Sequence, residues 1–165
     1  MTARATGRPP RLPPFEQVVE RHGPALLRFC AAQVGPERAE DCFQDAMLAA
    51  LRAYGELRDP GSVRAWLFAI AARKAIDAHR ERARGAEPTE DVEQVAIAAP
   101  EAPSDGALWA HVRGLPDKQR RALSLRYLGD LTHREIGDAM GTSEAAARRN
   151  VFEALARLRR EVGVG

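Results

Sequence analysis

Residues Leu131–Arg160 read LTHREIGDAMGTSEAAARRNVFEALARLRR. Thr132, followed three residues later by Glu135, is the signature of a capping box and starts a helix. Gly141 is suited to end that helix, and Thr142-Ser143 offers the cap of the next. A short helix, a tight Gly turn and a longer basic helix in this order make a helix-turn-helix pattern. In the longer helix Ala147, Val151, Leu155, Leu158 and Val162 recur at spacings of four, four, three and four, which predicts one buried face. That rotation turns Ala145, Ala146, Arg149, Asn150 and Glu153 outward, with Arg148 at the border. Small residues at the entrance allow close approach to a major groove, Arg offers paired donors to guanine or phosphate, and Glu153 can accept from cytosine. An amphipathic surface helix with a solvated charged face has the same pattern.

Working upstream, helices are expected at Ala107–Gly114, Pro116–Leu128 and Thr132–Met140, before the one from Ser143 to about Glu161; Gly129-Asp130 marks a stop. These make a second unit over residues 106–165. Before it, Gly85–Asp105 holds six acids, no Lys or Arg and three prolines, whereas Arg73–Arg84 holds five basic residues against two acids. So abrupt a reversal predicts a flexible acidic linker over 85–105. A first unit over 15–84 contains three helical patterns. The first runs from Phe15 to about Val34 with a bend at Gly23-Pro24. The next starts near Pro36, its apolar stripe formed by Cys42, Phe43, Ala46, Met47, Ala50, Leu51 and Tyr54. After a turn at Arg58–Ser62, the third carries Val63, Trp66, Leu67, Ile70 and Ile76 and ends in a basic run. The proline-rich residues 1–14 are expected to be a disordered arm.

The expected fold class is all-α, in two small helical domains that each bury a modest core. Ala, Leu, Arg and Glu dominate the 165 residues, aromatic residues make up only 5%, and no alternating Val, Ile or Thr run suggests a strand. A net charge of +2 does not by itself argue for nucleic acid, so the local clusters carry that reading. Cys30 and Cys42 lack metal-ligand spacing and are read as buried reduced thiols, which suits a cytoplasmic protein. Neither a signal peptide nor a run of about 18 apolar residues is present, so no membrane insertion is expected. His22, His79, His111 and His133 are scattered, and neither a phosphate-cradling Gly loop nor a nucleophile motif occurs. The expectation is no catalytic residue, no metal, no cofactor and no enzyme activity.

The segment LPDKQRRALSLRYL (115–128), followed by the helix-turn-helix, resembles the minus-35-reading domain of sigma-70-type bacterial RNA polymerase sigma factors. Ala39–Ala46 (AEDCFQDA) resembles the polymerase-binding helix of that family's region 2, and Trp66–Ala71 (WLFAIA) with Ala75-Ile76-Asp77 resembles its minus-10-reading helix. Together the ordered blocks span Phe15 to Val162 and leave no room for the large central domain, which points to the compact extracytoplasmic-function group. The resemblance implies core RNA polymerase and promoter DNA as partners, the polymerase contributing its largest-subunit coiled coil and its flap; an anti-sigma factor is a further possible partner. It places polymerase binding on Glu40, Asp41, Gln44 and Asp45, of which the last three share one helix face. It also places minus-35 contacts on Thr142, Ser143, Ala145, Ala146, Arg148, Arg149, Asn150 and Glu153.

For the minus-10 element, the resemblance implies that the loop from Arg58 to Arg64 captures a flipped base. Asp59, Ser62 and Arg64 would bond base or phosphate, while Arg73, Lys74, Arg80, Arg82 and Arg84 neutralise the backbone. Trp66 is expected in the core instead of as a stacking platform. Arg73 stands where the family commonly has Asn. A linker of about 20 residues reaches at most about 70 Å, enough for promoter elements about 17 base pairs, or roughly 58 Å, apart. Two other readings compete. One is a helix-turn-helix regulator acting without core polymerase; the other is a helical protein-binding adaptor.

Overall fold

The computed structural model describes residues 11–85 and 106–163, and of Ser62 the backbone alone. Among the described residues seven helices form: α1 (Phe15–Val34), α2 (Ala39–Ala53), α3 (Val63–Arg84), α4 (Gly106–Arg113), α5 (Asp117–Tyr127), α6 (His133–Met140) and α7 (Glu144–Val162). Two short 3-10 turns, Tyr54–Glu56 and Pro60–Ser62, join α2 to α3. No strand occurs among the described residues, in agreement with the all-α expectation. Most of the expected linker, 86–105, and the first ten residues of the expected arm lie outside the described residues. Leu12 packs on the core and the Tyr54 hydroxyl donates to the Pro13 carbonyl, so the end of that arm is anchored.

Three features of the first unit differ from expectation. α1 passes through Pro24 unbroken, because Pro24 and Glu20, whose carbonyl loses its helical donor, both face solvent. α2 begins at Ala39 and not near Pro36: Gly35, at φ 88°, ends α1, and residues 36–38 form a turn before the helix can start. Leu51 leaves the stripe and is 54% exposed, while Met47 and Ala50 take the buried side. The rest of the stripe holds, with Phe29 and Phe68 meeting edge to face at a 5.6 Å centroid separation in the centre of the unit.

In the second unit the capping box forms with both of its bonds, Glu135 N–H to Thr132 Oγ1 (3.1 Å) and Thr132 N–H to Glu135 Oε1 (2.9 Å). Gly141 ends α6 in the left-handed conformation, at φ 68°. Gly137 allows the following turn to close: a Cβ there would sit 2.8 Å from the Thr142 carbonyl oxygen, and its own carbonyl accepts from Thr142 N–H at 2.9 Å. The buried face of α7 is Ala147, Val151, Ala154 and Leu158. This corrects the expected stripe. The small Ala154 takes the centre, which turns Leu155 to the half-buried edge and leaves Val162 44% exposed.

The two units do not keep separate cores. α3 packs on α6, and α1 packs on α4 and α5, so the buried residues form one continuous cluster. Close approach depends on Gly129, where a Cβ would lie 3.1 Å from Phe68 Cδ1 and 2.7 Å from the Leu125 carbonyl oxygen. Asp130 follows at φ 56°, a conformation Asp tolerates better than most residues.

Candidate nucleic-acid and docking surfaces

On α2, Glu40, Asp41, Gln44 and Asp45 are all exposed, and their backbone lies on a single regular helix. Asp41, Gln44 and Asp45 line a surface cleft with Arg38, Cys42, Ala78 and Glu81, so the acidic face is walled on one side by the end of α3. Arg38 fixes that wall by donating from Nη2 to the Ala78 carbonyl at 3.3 Å. At about 100° per residue, Leu48 and Leu51 continue the same face. Their exposures of 52% and 54% make the surface half acidic and half apolar. The sequence reading missed Leu48 and assigned Leu51 to the core, although the spacing from Gln44 places both beside the carboxylates.

The basic residues of α3 divide into two sides. Arg73, Arg80 and Arg84 recur at seven and four, so they form one exposed stripe, with the half-buried Lys74 beside it. Arg82 lies about 180° away from Arg73 at ordinary helical pitch and does not join them. Arg64 points to that other side as well. Its Nη1 donates to the Gly129 carbonyl of the second unit at 3.1 Å, so in this arrangement it lies half-buried at the seam.

Ahead of α3, Asp59 accepts from the Gly61 N–H at 2.9 Å and so shapes the turn. The expectation for the Ser62 hydroxyl falls outside the described residues. Arg58, Asp59, Leu57, Glu56, Ala53 and Trp66 line a cleft at this corner. Trp66 is half-buried, its ring 6.1 Å from that of Tyr54 and tilted. It therefore packs on the core, as expected, while leaving one edge in the cleft.

On α7 the outward residues behave largely as expected. Ala145, Arg148, Arg149 and Glu153 are exposed, and Ala146 and Asn150 are half-buried. Ser143 Oγ accepts from the Ala146 N–H at 3.1 Å, which commits its lone pair to capping and leaves its O–H as the group that can meet a phosphate. Thr142 is exposed beside it. Arg148 pairs with Glu144 at 3.2 Å, and Glu153 stands 3.5 Å from Gln119 Nε2. Arg149 lies about 170° from the centre of the buried face, the most outward direction this helix has. Phe152, 69% exposed, was missed and is its neighbour on that face. Its spacing of three from Arg149 was the available signal.

Among the described residues no group of His, Cys, Asp and Glu is placed to hold a metal ion, and no helix is long and apolar enough to cross a membrane. Cys30 and Cys42 are free and buried. They face each other across α1 and α2, and the hydrogen bond between them, then burial, pushes the Cys30 thiol up, while the same bond lowers Cys42.

Residues 18–85 match the Sigma-70 region 2 family and residues 106–158 match Sigma-70, region 4. The ECF RNA polymerase sigma factor SigD of Mycobacterium tuberculosis (strain H37Rv) is 36% identical over 165 residues, covering 90% of this chain and 76% of its own length. The ECF RNA polymerase sigma factor RpoE of Cereibacter sphaeroides is 33% identical over 157 residues, covering 90% and 86%. Among solved structures, the sigma factor RpoE bound to the anti-sigma factor NepR from Bartonella quintana has a TM-score of 0.79 at 23% identity, over 91% of this chain and 97% of that one, a likeness of fold. CnrH in complex with the cytosolic domain of CnrY has a TM-score of 0.65 at 24% identity, over 90% and 87%. Region 2 thus carries α1 to α3, region 4 carries α4 to α7, and the chain belongs to the ECF RNA polymerase sigma factors, which direct promoter-specific transcription initiation.

Proposed function

We propose that this sigma factor divides its work among three surfaces. The acidic face of α2, Glu40, Asp41, Gln44 and Asp45 with Leu48 and Leu51 beyond them, docks on the coiled coil of the polymerase's largest subunit. The Arg73, Lys74, Arg80 and Arg84 side of α3 tracks the minus-10 backbone, and the cleft at Arg58, Asp59 and Trp66 receives a base taken out of the stack. The outward face of α7 reads the minus-35 element through Arg149, with Ala145 and Ala146 allowing close approach and Ser143 and Thr142 meeting phosphate at the helix entrance. The observation that carries this reading is the rotation of α7, fixed by Ala147, Val151, Ala154 and Leu158, which aims Arg149 directly away from the core. The chain acts in the cytoplasm, as a specificity subunit with no catalytic step of its own. The solved sigma factor RpoE that it resembles is bound to the anti-sigma factor NepR, and a partner of that kind is proposed here too.

The docking surface is tested by replacing Asp41, Gln44 and Asp45 together with Ala. All three are exposed and Ala is a strong helix former, so helicity should be unchanged while affinity for core polymerase falls about tenfold or more. Unchanged core affinity in a titration would place the docking face elsewhere.

A further inference from the structure

The chain has two cysteines, and the fold brings them together. Cys30 sits about one turn before the end of α1 and Cys42 about one turn into α2, on either side of the corner that Gly35 opens at φ 88°. On α2 the residues Ala39, Cys42, Ala46 and Ala50 share the buried side, and their small side chains let the two helices approach until the Cys30 thiol donates to Cys42 Sγ.

The two sulfurs have different surroundings. Cys30 is 0% exposed, whereas Cys42, at 4%, lines the cleft that Arg38, Asp41, Asp45 and Glu81 also wall, so an oxidant little larger than water arrives at Cys42 first. Arg38 is held there by the bond from its Nη2 to the Ala78 carbonyl, and its Nη1 has no acceptor among the described residues. A guanidinium with a spare N–H beside a thiol favours the thiolate and can hold an oxygen that leaves as an anion.

We propose that Cys30 and Cys42 are an oxidation site for hydrogen peroxide, and that the disulfide formed across the α1–α2 corner weakens the binding of this chain to core polymerase. The Cys42 thiolate attacks one peroxide oxygen: an S–O bond forms, the O–O bond breaks, and the other oxygen leaves as hydroxide, which takes up the proton lost from Cys42. Cys30 then attacks the sulfenic sulfur of Cys42. The S–S bond forms, the S–O bond breaks, and the departing hydroxyl carries off the Cys30 proton as water. Each sulfur gives up one electron in total, and one peroxide becomes two waters.

The order of attack follows from the same contacts. The hydrogen bond from Cys30 holds the Cys42 thiol below its usual value, with burial and the Asp45 carboxylate opposing and Arg38 adding to the lowering. That bond, then burial, keeps Cys30 protonated until Cys42 has reacted. Such a pair rests as thiols in a reducing compartment and bonds only under oxidant, as redox sensors do.

The coupling to polymerase rests on the reading of α2 as the docking face; the thiol chemistry does not. An S–S bond is about 2.05 Å long, far shorter than a hydrogen bond between thiols, so closing it draws the start of α2 toward α1. Asp41 is the chain neighbour of Cys42 and Asp45 follows it on the same helix, so both carboxylates move with the sulfur.

The test uses the full chain, reduced, exposed to hydrogen peroxide in its folded state, quenched with catalase, then unfolded and alkylated with N-ethylmaleimide for intact-mass measurement. The product should be a monomer two hydrogens lighter than the reduced chain, with no maleimide added, and dithiothreitol should reverse it. Uptake of two maleimides after peroxide, or a disulfide found only in chain dimers, overturns the site. Dimedone should trap a sulfenic acid at Cys42 in Cys30→Ala and none at Cys30 in Cys42→Ala; equal trapping in both overturns the order of attack. Arg38→Gln should slow disulfide formation severalfold, and an unchanged rate removes Arg38 from the site.

Titration of core polymerase reads the coupling. Oxidation should weaken binding by wild type about tenfold, the loss expected of the joint Asp41, Gln44 and Asp45 replacement, and dithiothreitol should restore it. The double variant Cys30→Ala, Cys42→Ala should bind equally with and without peroxide; a loss there places the effect at another oxidised residue and overturns the coupling. So does a disulfide that leaves affinity unchanged while the triple replacement lowers it. If neither lowers it, the docking face itself is misplaced and the coupling falls with it.

Discussion

Ile136→Ala should cost the protein about 2 to 5 kcal/mol, because Ile136 is fully buried on α6 and its truncation leaves a cavity. Leu155→Ala should cost distinctly less, since Leu155 sits at the half-buried edge of α7. The difference is amplified by what Ile136 supports. Its neighbour Gly137 accepts the Thr142 N–H and lies against the turn that leads into α7, so loosening α6 also loosens the entrance of the recognition helix. For a chain of this size the loss corresponds to a drop in melting temperature of roughly 4 to 20 °C. Calorimetry or urea unfolding of the full chain reads both variants. Equal losses for Ile136→Ala and Leu155→Ala would mean that α7 is rotated toward Leu155 and away from Ala154.

Arg149→Ala should leave stability within about 0.5 kcal/mol of wild type, as expected for an exposed helix position, yet weaken the preferred minus-35 element by about 1 to 3 kcal/mol. That is about a 5-fold to 150-fold loss for the holoenzyme, with selectivity relaxed at a single base pair. Arg148 provides the contrast. Its pairing with Glu144 four residues back draws it toward the helix N-terminus, so Arg148→Ala should lower affinity evenly across sequences. Selection of promoter fragments by the two variant holoenzymes separates base reading from phosphate contact. Even loss with both variants would put the reading residue elsewhere on α7.

The caps and turns of region 4 were legible because they are local. Thr132 with Glu135, Gly141, and Ser143 before a run of Ala each satisfy backbone groups within a few residues, and the structure places them as expected. The rotation of α7 was less legible: spacings of four, three, four and of four, four, three differ only in whether Ala154 or Leu155 is inside. Packing against α5 and α6 decides between them, and a helix read alone contains no information about that packing. The same holds for α2, where Leu51 follows the apolar pattern yet faces out beside the carboxylates.

The seam between the regions was invisible for a different reason. Its α3 side includes the small Ala75, and across from it stands Gly129, neither of which announces burial, while its polar members Arg64, His79 and Arg120 have the composition of a solvated or DNA-facing surface. The family resemblance implied that Arg64 bonds a base or phosphate. It could not tell which wall Arg64 faces.

The most direct measurement is run-off transcription by purified bacterial core polymerase on a library of promoter fragments, with and without this chain. The chain should make the core initiate from a discrete subset of fragments that share two elements about 17 base pairs apart, as a linker reaching at most about 70 Å permits. Initiation should disappear when either element is scrambled. Binding of the chain alone to duplex fragments, with no initiation added to core polymerase, would contradict the account and favour a regulator that works without the polymerase.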